Sequence, residues 1–376
     1  MSIGYLLTLV IIGGFTAVAV WPARRPRALA KASYLMGLTV NEVPHVAAGV
    51  PLAAVVVPAA ASGGFGAGWS SMAAALGTVA VATGLVVIAR RGVAAWPAVT
   101  AALTDAGLDA PRRPRGWAWR TLLTPIPFRP RRISRVAGIR YGEHRRQRLD
   151  VYHRRDRPSG GPVLVYLHGG GYFSGGRHRE GRALLHTLAD RGWICVSAGY
   201  RLRPEAGFED HLADARRALA WARDNAGRYG GDPARLVMAG SSAGAHMTAL
   251  LALDPETDLT AAICLYGHYG RYYGRTDSED VASTPFAMPA EDAPPVFIAH
   301  GDHDTWTPVE PARALAAKLR RESVQAVVHA ELPGGQHGFD LWRSWRCSAV
   351  VAGIGAFAAE HVTRPAAAAT VAGRAR

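Results

Sequence analysis

Long apolar runs without charge dominate the N-terminal part of the chain. Residues 2–21 carry no charged side chain, residues 43–61 form a second apolar run that prolines interrupt, and residues 70–89 form a third, rich in Ala, Val and Gly. A helix needs about 20 apolar residues to cross roughly 30 Å of hydrocarbon. The pattern predicts a membrane region over residues 1–91 with about three transmembrane helices. Buried core helices of a soluble protein are the alternative.

Basic residues flank these runs unevenly. Four of them follow the first run: Arg24, Arg25, Arg27 and Lys31. None lies at positions 62–69, and Arg90 and Arg91 follow the third run. Short loops rich in Lys and Arg stay on the cytoplasmic side of a membrane. We therefore expect a multi-pass protein of the cell membrane, with its N-terminus outside and everything after Arg90 on the cytoplasmic face.

Residues 92–132 differ from the preceding region because arginine, proline and tryptophan become frequent. The chain has a formal net charge of +14, and much of the excess lies between residues 112 and 157. Prolines interrupt this basic stretch and no recognisable nucleic-acid module surrounds it, so we expect no nucleic acid as a partner. Trp96, Trp117 and Trp119 beside arginines favour an interfacial linker on anionic membrane lipids, with a solvated hinge as the alternative.

From residue 133 onward, short apolar runs alternate with amphipathic segments. Strand-like runs lie at residues 136–141, 148–153, 163–167, 193–198, 236–239, 261–265, 296–299 and 326–331. Helical patterns lie at residues 210–226, 243–253, 311–321 and 341–360. This alternation predicts an α/β fold over residues 133–362, with a mostly parallel sheet and helices on both faces. We expect the Ala-rich residues 363–376 to be a disordered tail.

A serine lies between the strand-like run 236–239 and the helical segment that follows it. Gly240 and Gly244 flank Ser242 in the pattern G-x-S-x-G, where missing side chains let a strand reverse sharply into a helix. In a chain with 42 glycines the motif alone is a weak signal, and the strand before it and the helix after it strengthen it. The sequence predicts Ser242 as a nucleophile at the top of the sheet.

Three consecutive glycines follow the run 163–167 in the segment HGGGYFSGG. Successive glycines suit a loop whose backbone N–H groups approach a ligand closely. In hydrolases with this serine motif, one oxyanion donor is the N–H after the serine and the others come from such a loop. We therefore expect Gly170, Gly171 and Ala243 to form an oxyanion hole.

An acid that orients a catalytic histidine is expected after the run 296–299, in the loop HGDHD. Asp302 and Asp304 both qualify. The spacing from His300 and the proline at position 308 favour Asp304, with Asp302 capping the loop.

His337 lies in the loop GGQHGFD, after the acid in chain order, and completes the order Ser, Asp, His. Its expected task is to take the proton of Ser242 and deliver it to the leaving group. His168, His246 and His303 are interpreted as structural neighbours of the loops.

Cofactor and metal motifs are missing from the sequence. The three cysteines are an odd number and two lie in strand-like runs, so they do not indicate a disulfide framework. No His/Cys cluster has the spacing of zinc ligands, and neither a Walker A loop nor a dinucleotide fingerprint follows a strand. We expect no cofactor and no metal.

Residues 136–360 resemble the α/β-hydrolases of the hormone-sensitive lipase group. The resemblance rests on HGGGYFSGG, on YRLRPE (200–205) with Asp214 and Trp221 in the following helix, and on GSSAG, HGDHD and HGF. It implies a Ser242 nucleophile, an oxyanion hole of Gly170, Gly171 and Ala243, and carboxylic esters as substrates. The membrane spans replace the helical cap common in that group and are similar to those of membrane-anchored actinobacterial hydrolases.

These patterns together favour a membrane-anchored serine carboxylesterase or lipase. Its expected partners are a small-molecule or lipid ester and membrane lipids. Tyrosines of the loop 268–275 are candidates to flank an acyl chain at the mouth of the site, with a plain surface loop as the alternative. An amidase such as an arylformamidase uses the same three residues and stays open as an alternative. A non-catalytic binding protein on a hydrolase fold is the remaining one, disfavoured because no member of the triad is missing.

Overall fold

The computed structural model describes residues 3–61, 68–273 and 282–363. Its centre is a sheet of eight strands: β1 (Ile133–Arg140), β2 (Arg148–Arg154), β3 (Gly161–Leu167), β4 (Ile194–Ala198), β5 (Gly231–Ser241), β6 (Ala261–Leu265), β7 (Val296–Gly301) and β8 (Val327–Leu332). The strand order is β1-β2-β4-β3-β5-β6-β7-β8. β2 pairs antiparallel with β1 and β4, and all other pairs are parallel. The predicted α/β fold is confirmed.

Helices cover both faces of this sheet because the central strands carry apolar side chains on both faces. In β3, Leu164 and Tyr166 belong to one apolar core, and Val163, Val165 and Leu167 belong to the other. This alternation follows from the two-residue period of a strand. The helices that follow in chain order are α6 (Arg182–Asp190), α7 (Phe208–Asn225), α8 (Ala243–Ala252), α9 (Glu310–Glu322) and α10 (Trp345–Ala358). α6 and α10 share the first core, and α7 and α8 share the second.

The N-terminal region is helical and precedes the sheet. It contains α1 (Ile3–Val20), α2 (Arg27–Glu42), a π-helical turn (His45–Gly49), α3 (Val50–Ala61), α4 (Trp69–Asp105) and α5 (Trp117–Leu123). α1 and α4 are each long and apolar enough to cross a membrane. α2 and residues 45–61 form a further candidate pair, bent by 95° at the break between them.

α1 and α4 run parallel to each other. A side chain on Gly77 would meet Leu9 at 2.9 Å, and one on Gly84 would meet Thr16 at 2.6 Å, so contacts advance along both helices in the same direction. At the end of this contact, Arg91 Nη1 donates to the carbonyl of Val20 at 2.8 Å. Glycines let the two backbones approach closely, as small residues do in packed membrane helices.

α4 does not end where the membrane region was predicted to end. The helix passes through residues 91 and 92 without a break and continues to Asp105. Its second half lies in the core beside the sheet, where Val99 is buried and Gly92 packs under the ring of Trp345. The predicted linker at residues 92–132 is therefore largely part of the folded unit, because its tryptophans pack inward: Trp96 and Trp117 are buried against each other and Trp119 is exposed.

Buried polar contacts join α2 to the sheet region. Arg346 and Glu42 form an ion pair of 3.1 Å, with 1 % and 0 % of their side chains exposed. Asn41 Nδ2 donates to the carbonyl of Gly334 at 2.7 Å, and Arg346 Nη1 donates to the carbonyl of Asn41 at 2.9 Å. These contacts fix α2 beside the loop that follows β8. We call the set Glu42, Asn41, Gly334 and Arg346 the polar seam.

Candidate active site

The turn between β5 and α8 is sterically restricted to glycine on both sides of Ser242. A side chain on Gly240 would lie 2.3 Å from the backbone of Gly244, and one on Gly244 would lie 2.1 Å from the carbonyl of Leu167. Ser242 itself adopts φ 52° and ψ −115°, a conformation that non-glycine residues rarely adopt and that costs about 1–3 kcal/mol. The surrounding packing holds the serine in this strained conformation.

His337 lies in the loop after β8 and contacts both other residues of the predicted triad. Its Nε2 lies 2.9 Å from the Oγ of Ser242, and its Nδ1 lies 2.7 Å from Oδ2 of Asp304. The carboxylate accepts only, so Nδ1 carries the proton and Nε2 is free to accept from the serine hydroxyl. The three side chains thus form one hydrogen-bonded chain with the geometry of a general base beside a nucleophile.

Asp304 is held as a buried, ionised carboxylate. Oδ1 accepts the backbone N–H groups of Trp306 and Thr307 at 2.8 Å each, and Oδ2 accepts the Thr307 hydroxyl at 3.0 Å. Burial by itself raises the pKa of Asp304, but His337 and His300 outweigh it, and the pKa lies well below its usual range. Asp304 therefore keeps its negative charge at neutral and mildly acidic pH.

Asp302, the alternative acid, contacts neighbouring residues through its backbone. Its N–H donates to the carbonyl of Leu332 at 3.2 Å, and its carbonyl accepts Arg24 Nη2 at 2.7 Å. The imidazole of His337 lies beside Asp304 and not beside Asp302. The spacing argument that favoured Asp304 agrees with this geometry.

The glycine loop after β3 lies directly against the elbow. Gly170 and Gly171 have φ values of 115° and 61°, and a side chain on Gly169 would lie 2.9 Å from the Cβ of Ser242. Ala243 is the first residue of α8, so its N–H has no acceptor within the helix. Gly169 thus packs against Ser242, Gly170 and Gly171 follow Gly169 directly in the chain, and Ala243 follows Ser242.

A buried acidic network under the serine was not predicted from the sequence. Ser241 Oγ donates to Oε2 of Glu180 at 2.6 Å, and the same oxygen accepts the N–H of Gly169. Tyr166 donates its hydroxyl to Ser241 at 2.9 Å. Glu180 therefore connects the glycine loop to the residue before the nucleophile. No sequence motif marks Glu180, because it lies in a loop of mixed polarity between β3 and α6.

Asp340 is the second acid of this network. Its side chain accepts the N–H of Gly181 at 2.8 Å and the hydroxyl of Tyr266, whose ring packs edge-on against His337. Burial, and secondly the charge of Glu180, raise the pKa of Asp340 to about 6. Two buried acids therefore lie near the histidine, with Asp304 ionised and Asp340 close to neutral at mildly acidic pH.

Helix α2 of the N-terminal region also reaches the site. The ring of Tyr34 lies 5.8 Å from His337, edge to face, and 5.2 Å from Trp306. Lys31 lies 5.6 Å from the Trp306 ring, and Thr305 Oγ1 donates to the carbonyl of Ala30 at 2.9 Å. One wall of the site thus comes from α2, a segment in which the sequence analysis found no catalytic motif.

Aromatic side chains surround the opposite wall. Phe173 and Tyr273 lie 5.8 Å apart, and the guanidinium of Arg203 lies 4.9 Å from Phe173 and 5.7 Å from Tyr273. The Tyr273 hydroxyl lies 3.6 Å from where a side chain on Gly171 would begin. The predicted loop 268–275 therefore contributes Tyr273 beside the oxyanion positions, while its residues 274 and 275 lie outside the described residues.

Comparison with known proteins decides the family. A family model described as BD-FAE matches residues 149–282. The probable carboxylic ester hydrolase LipM of Mycobacterium tuberculosis is 35 % identical over 326 residues, which cover 73 % of this chain and 74 % of LipM. The chain belongs to the hormone-sensitive lipase-like family of α/β-hydrolase esterases. It is a serine hydrolase of the carboxylic ester hydrolase class, as the sequence predicted.

A second relative and a solved esterase structure are also similar to this chain, the structure in its fold. Esterase LipC of Mycobacterium tuberculosis is 34 % identical over 254 residues, covering 57 % of this chain and 62 % of LipC. The structure of Thermogutta terrifontis esterase 2 phosphorylated by paraoxon has a TM-score of 0.54 and 23 % sequence identity. The match covers 62 % of this chain and 97 % of the Thermogutta esterase chain, and it shows that the two share a fold.

The remaining histidines of this esterase are held by structural contacts. His168 Nδ1 lies 2.7 Å from the carbonyl of Gly169, and its ring stacks on Tyr200 at 4.4 Å. Beneath the elbow, His246 contacts the Tyr172 hydroxyl at 2.8 Å, and burial lowers its pKa to about 3. Both histidines therefore stay neutral near pH 7 and support the loops that carry the site.

No group of His, Cys, Asp and Glu side chains suited to a metal ion is found among residues 3–61, 68–273 and 282–363. The three cysteines, Cys195, Cys264 and Cys347, are free and buried. Burial raises the pKa of each thiol, so none has the character of a reactive thiolate.

Proposed function

We propose that this protein is a membrane-anchored carboxylesterase that hydrolyses its ester through an acyl-enzyme on Ser242. The observation that carries the proposal is the hydrogen-bonded chain from the Ser242 hydroxyl through His337 to Asp304, with distances of 2.9 Å and 2.7 Å. The strained backbone of Ser242 supports it, because such strain collects at functional sites.

The reaction follows from the contacts. Ser242 Oγ bonds to the ester carbonyl carbon while its proton passes to Nε2 of His337, and Asp304 stabilises the imidazolium. The carbonyl oxygen becomes an oxyanion that the N–H groups of Ala243, Gly170 and Gly171 stabilise. The C–O bond to the alcohol then breaks as His337 protonates the leaving oxygen. A water molecule, deprotonated by His337, then bonds to the acyl carbon. The bond from that carbon to Ser242 Oγ breaks, His337 returns the proton to Oγ, and the carboxylic acid leaves.

The membrane part of the proposal rests on the direction of two helices. α1 and α4 run parallel, so both cross the membrane in the same sense if each spans it. The chain between them must then cross in the opposite sense, and residues 45–61 are the helical segment available for that crossing. We therefore infer three spans: the chain that leaves α1 on one side of the membrane must return to the other side before α4 begins.

The proposed sidedness follows from charge. The basic segment after α1 lies on the same side as the catalytic region, since Arg24 donates to the carbonyl of Asp302 in the loop after β7. Positive charge marks the cytoplasmic side. We therefore propose that the catalytic region faces the cytoplasm. A reporter active only outside the membrane, fused after residue 363, is expected to give no signal, and a signal there would reverse the orientation.

The chemical test is covalent labelling with a fluorophosphonate probe. Only a serine activated by a neighbouring base attacks such a phosphorus centre quickly, so we expect one adduct, on Ser242. Ser241→Ala is the matched control: it removes the neighbouring hydroxyl, which contacts Glu180, and leaves the Ser242–His337 pair in place, so an adduct on Ser242 is still expected. An adduct on Ser241, or wild-type ester turnover by Ser242→Ala, contradicts the proposal. Acyl esters of graded length, assayed beside aryl amides, then define the substrate.

A further inference from the structure

A cavity of about 840 Å³ lies among the helices that cover one face of the sheet, and no triad residue lines it. Its walls come from α4, α5, α6 and α10. The apolar part of the lining consists mainly of Trp96, Trp117, Val351 and Ala352. The volume falls within the range of sites that bind small organic molecules, about 300–1,000 Å³. None of the residues of the triad or the glycine loop lines it.

The lining of this cavity also contains four arginines: Arg112, Arg120, Arg191 and Arg343. Among the described residues, no acidic side chain lines it. In the part of the chain that the structure describes, none of the four forms an ion pair, and the nearby Asp190 is paired with Arg132. The cavity therefore combines an apolar surface with uncompensated positive charge.

The wall formed by α5 is fixed on both sides. Trp345 Nε1 donates to the carbonyl of Ala118 at 3.1 Å, and the N–H of Arg343 donates to the carbonyl of Pro125 at 2.7 Å. His45, in the π-helical turn before α3, contacts the carbonyl of Leu122 at 2.9 Å. α5 thus bridges the catalytic region and the apolar helices, so the cavity lies where the proposed membrane region meets the enzyme.

We propose that this cavity binds one anionic phospholipid. Its phosphate would contact the arginines, since the planar guanidinium forms paired hydrogen bonds to phosphate, and an acyl chain would lie over the two tryptophans. Phosphatidylcholine also carries a phosphate, but its cationic choline would add positive charge beside the arginines. A free phosphate would leave the apolar wall in water. The source of the lipid rests on the proposed membrane location, whereas the binding itself does not depend on catalysis.

The test is native mass spectrometry of the full chain in detergent, titrated separately with phosphatidylglycerol, phosphatidylcholine and a long-chain fatty carboxylate. The protein carries Ser242→Ala so that no ligand is hydrolysed. We expect retention of a single phosphatidylglycerol and at least about tenfold weaker retention of the other two. The double variant Arg120→Gln/Arg343→Gln and the cavity-filling variant Ala352→Phe are each expected to weaken phosphatidylglycerol retention by about tenfold or more.

The charge-matched control is Arg217→Gln/Arg228→Gln, which removes two exposed arginines that do not line the cavity. We expect it to retain the phospholipid like the parent protein. Equal retention by all variants would assign the lipid to the general apolar surface and overturn the proposal, as would equal retention of phosphatidylcholine. Stronger retention of the fatty carboxylate than of phosphatidylglycerol would overturn the proposal and identify the ligand as a product of ester hydrolysis. Each outcome is independent of fluorophosphonate labelling at Ser242.

Discussion

The sheet region and the N-terminal helices place their apolar side chains in opposite environments. All seven residues of β3 are buried, whereas the outer faces of α1 and α4 expose residues such as Val10 and Leu76, 72 % and 65 % of whose side chains are accessible. A protein core accounts for the first pattern, and the proposed membrane location would account for the second. Under that proposal, one chain matches the same residue types to two different surroundings.

α4 contains both environments in one helix. Toward its N-terminus Leu76 and Val79 are exposed, and toward its C-terminus Ala95, Val99 and Leu103 are buried beside the sheet. The polar seam and Tyr34 join the regions at a second place. Despite their different surroundings, the two regions form one folded unit, and the following experiments test that contrast.

The largest expected effect lies within the catalytic region. Asp304→Asn removes the carboxylate that orients His337, so kcat is expected to fall about 10⁴-fold. Asp302→Asn, in the same loop, is the matched control and should change kcat little, because its contacts run through its backbone. Ester hydrolysis under saturating substrate measures both. The reverse ranking would move the acid to Asp302.

The second experiment breaks the connection between the regions. Glu42→Gln leaves Arg346 buried without its counter-ion, which typically destabilises a protein by about 3–5 kcal/mol. If the regions fold as one unit, esterase activity and helical signal should be lost at the same, lowered temperature. Glu322→Gln is the control: it removes a surface carboxylate that pairs with Lys318 and Arg321, and it should lower the unfolding temperature far less. Loss of the helices alone, with activity retained, would show that the regions are independent.

The third experiment tests the solvent around α4. Val79→Arg places a charge on an exposed apolar position of the proposed span, at a cost of about 2.5–3.5 kcal/mol for insertion. The fraction of protein recovered with membranes should fall. Val324→Arg is the control, since Val324 is 94 % exposed near the end of α9 and faces water. Equal recovery of both variants would contradict a lipid-facing α4.

The smallest expected effect is a pH dependence confined to the sheet region. The pKa of Asp340 is raised to about 6, so the folded state keeps a proton that the unfolded chain releases. The contribution of Asp340 to the free energy of unfolding is therefore fully present below about pH 4. It decreases by up to about 3 kcal/mol as the pH rises to about 6 and above. Asp340→Asn should lack this loss. Denaturation at pH 4 and pH 7 measures the difference, and parallel curves for both proteins would exclude Asp340 as its source.

Local patterns predicted most of the fold and the candidate triad. Each predicted strand is present with ends shifted by a few residues, and β6 has the predicted bounds, because its apolar run stands between polar turns. Ser242 and His337 follow strands in glycine-containing loops, a pattern visible within a few residues. These features could be predicted because each depends on residue types that lie within a few positions of one another in the sequence.

The remaining features depend on contacts between residues distant in sequence. Tyr34 and Glu180 reach the site only through the packing of α2 and the glycine loop, and neither lies in a motif. α4 was predicted to end near residue 91 because Arg90 and Arg91 terminate its apolar run. Those arginines do not end the helix: α4 continues to Asp105, and Arg91 donates to the carbonyl of Val20.

The shared use of α2 and α4 has a consequence for any soluble version of this enzyme. A protease that cut after Arg91 would sever α4 between its exposed and buried halves, and release of the N-terminal fragment would remove Tyr34 and Glu42 as well. The remaining fragment would keep the whole sheet, yet it would carry a buried guanidinium without a counter-ion and an open wall beside His337. Separation of the sheet region from the N-terminal helices would therefore inactivate this enzyme instead of liberating it.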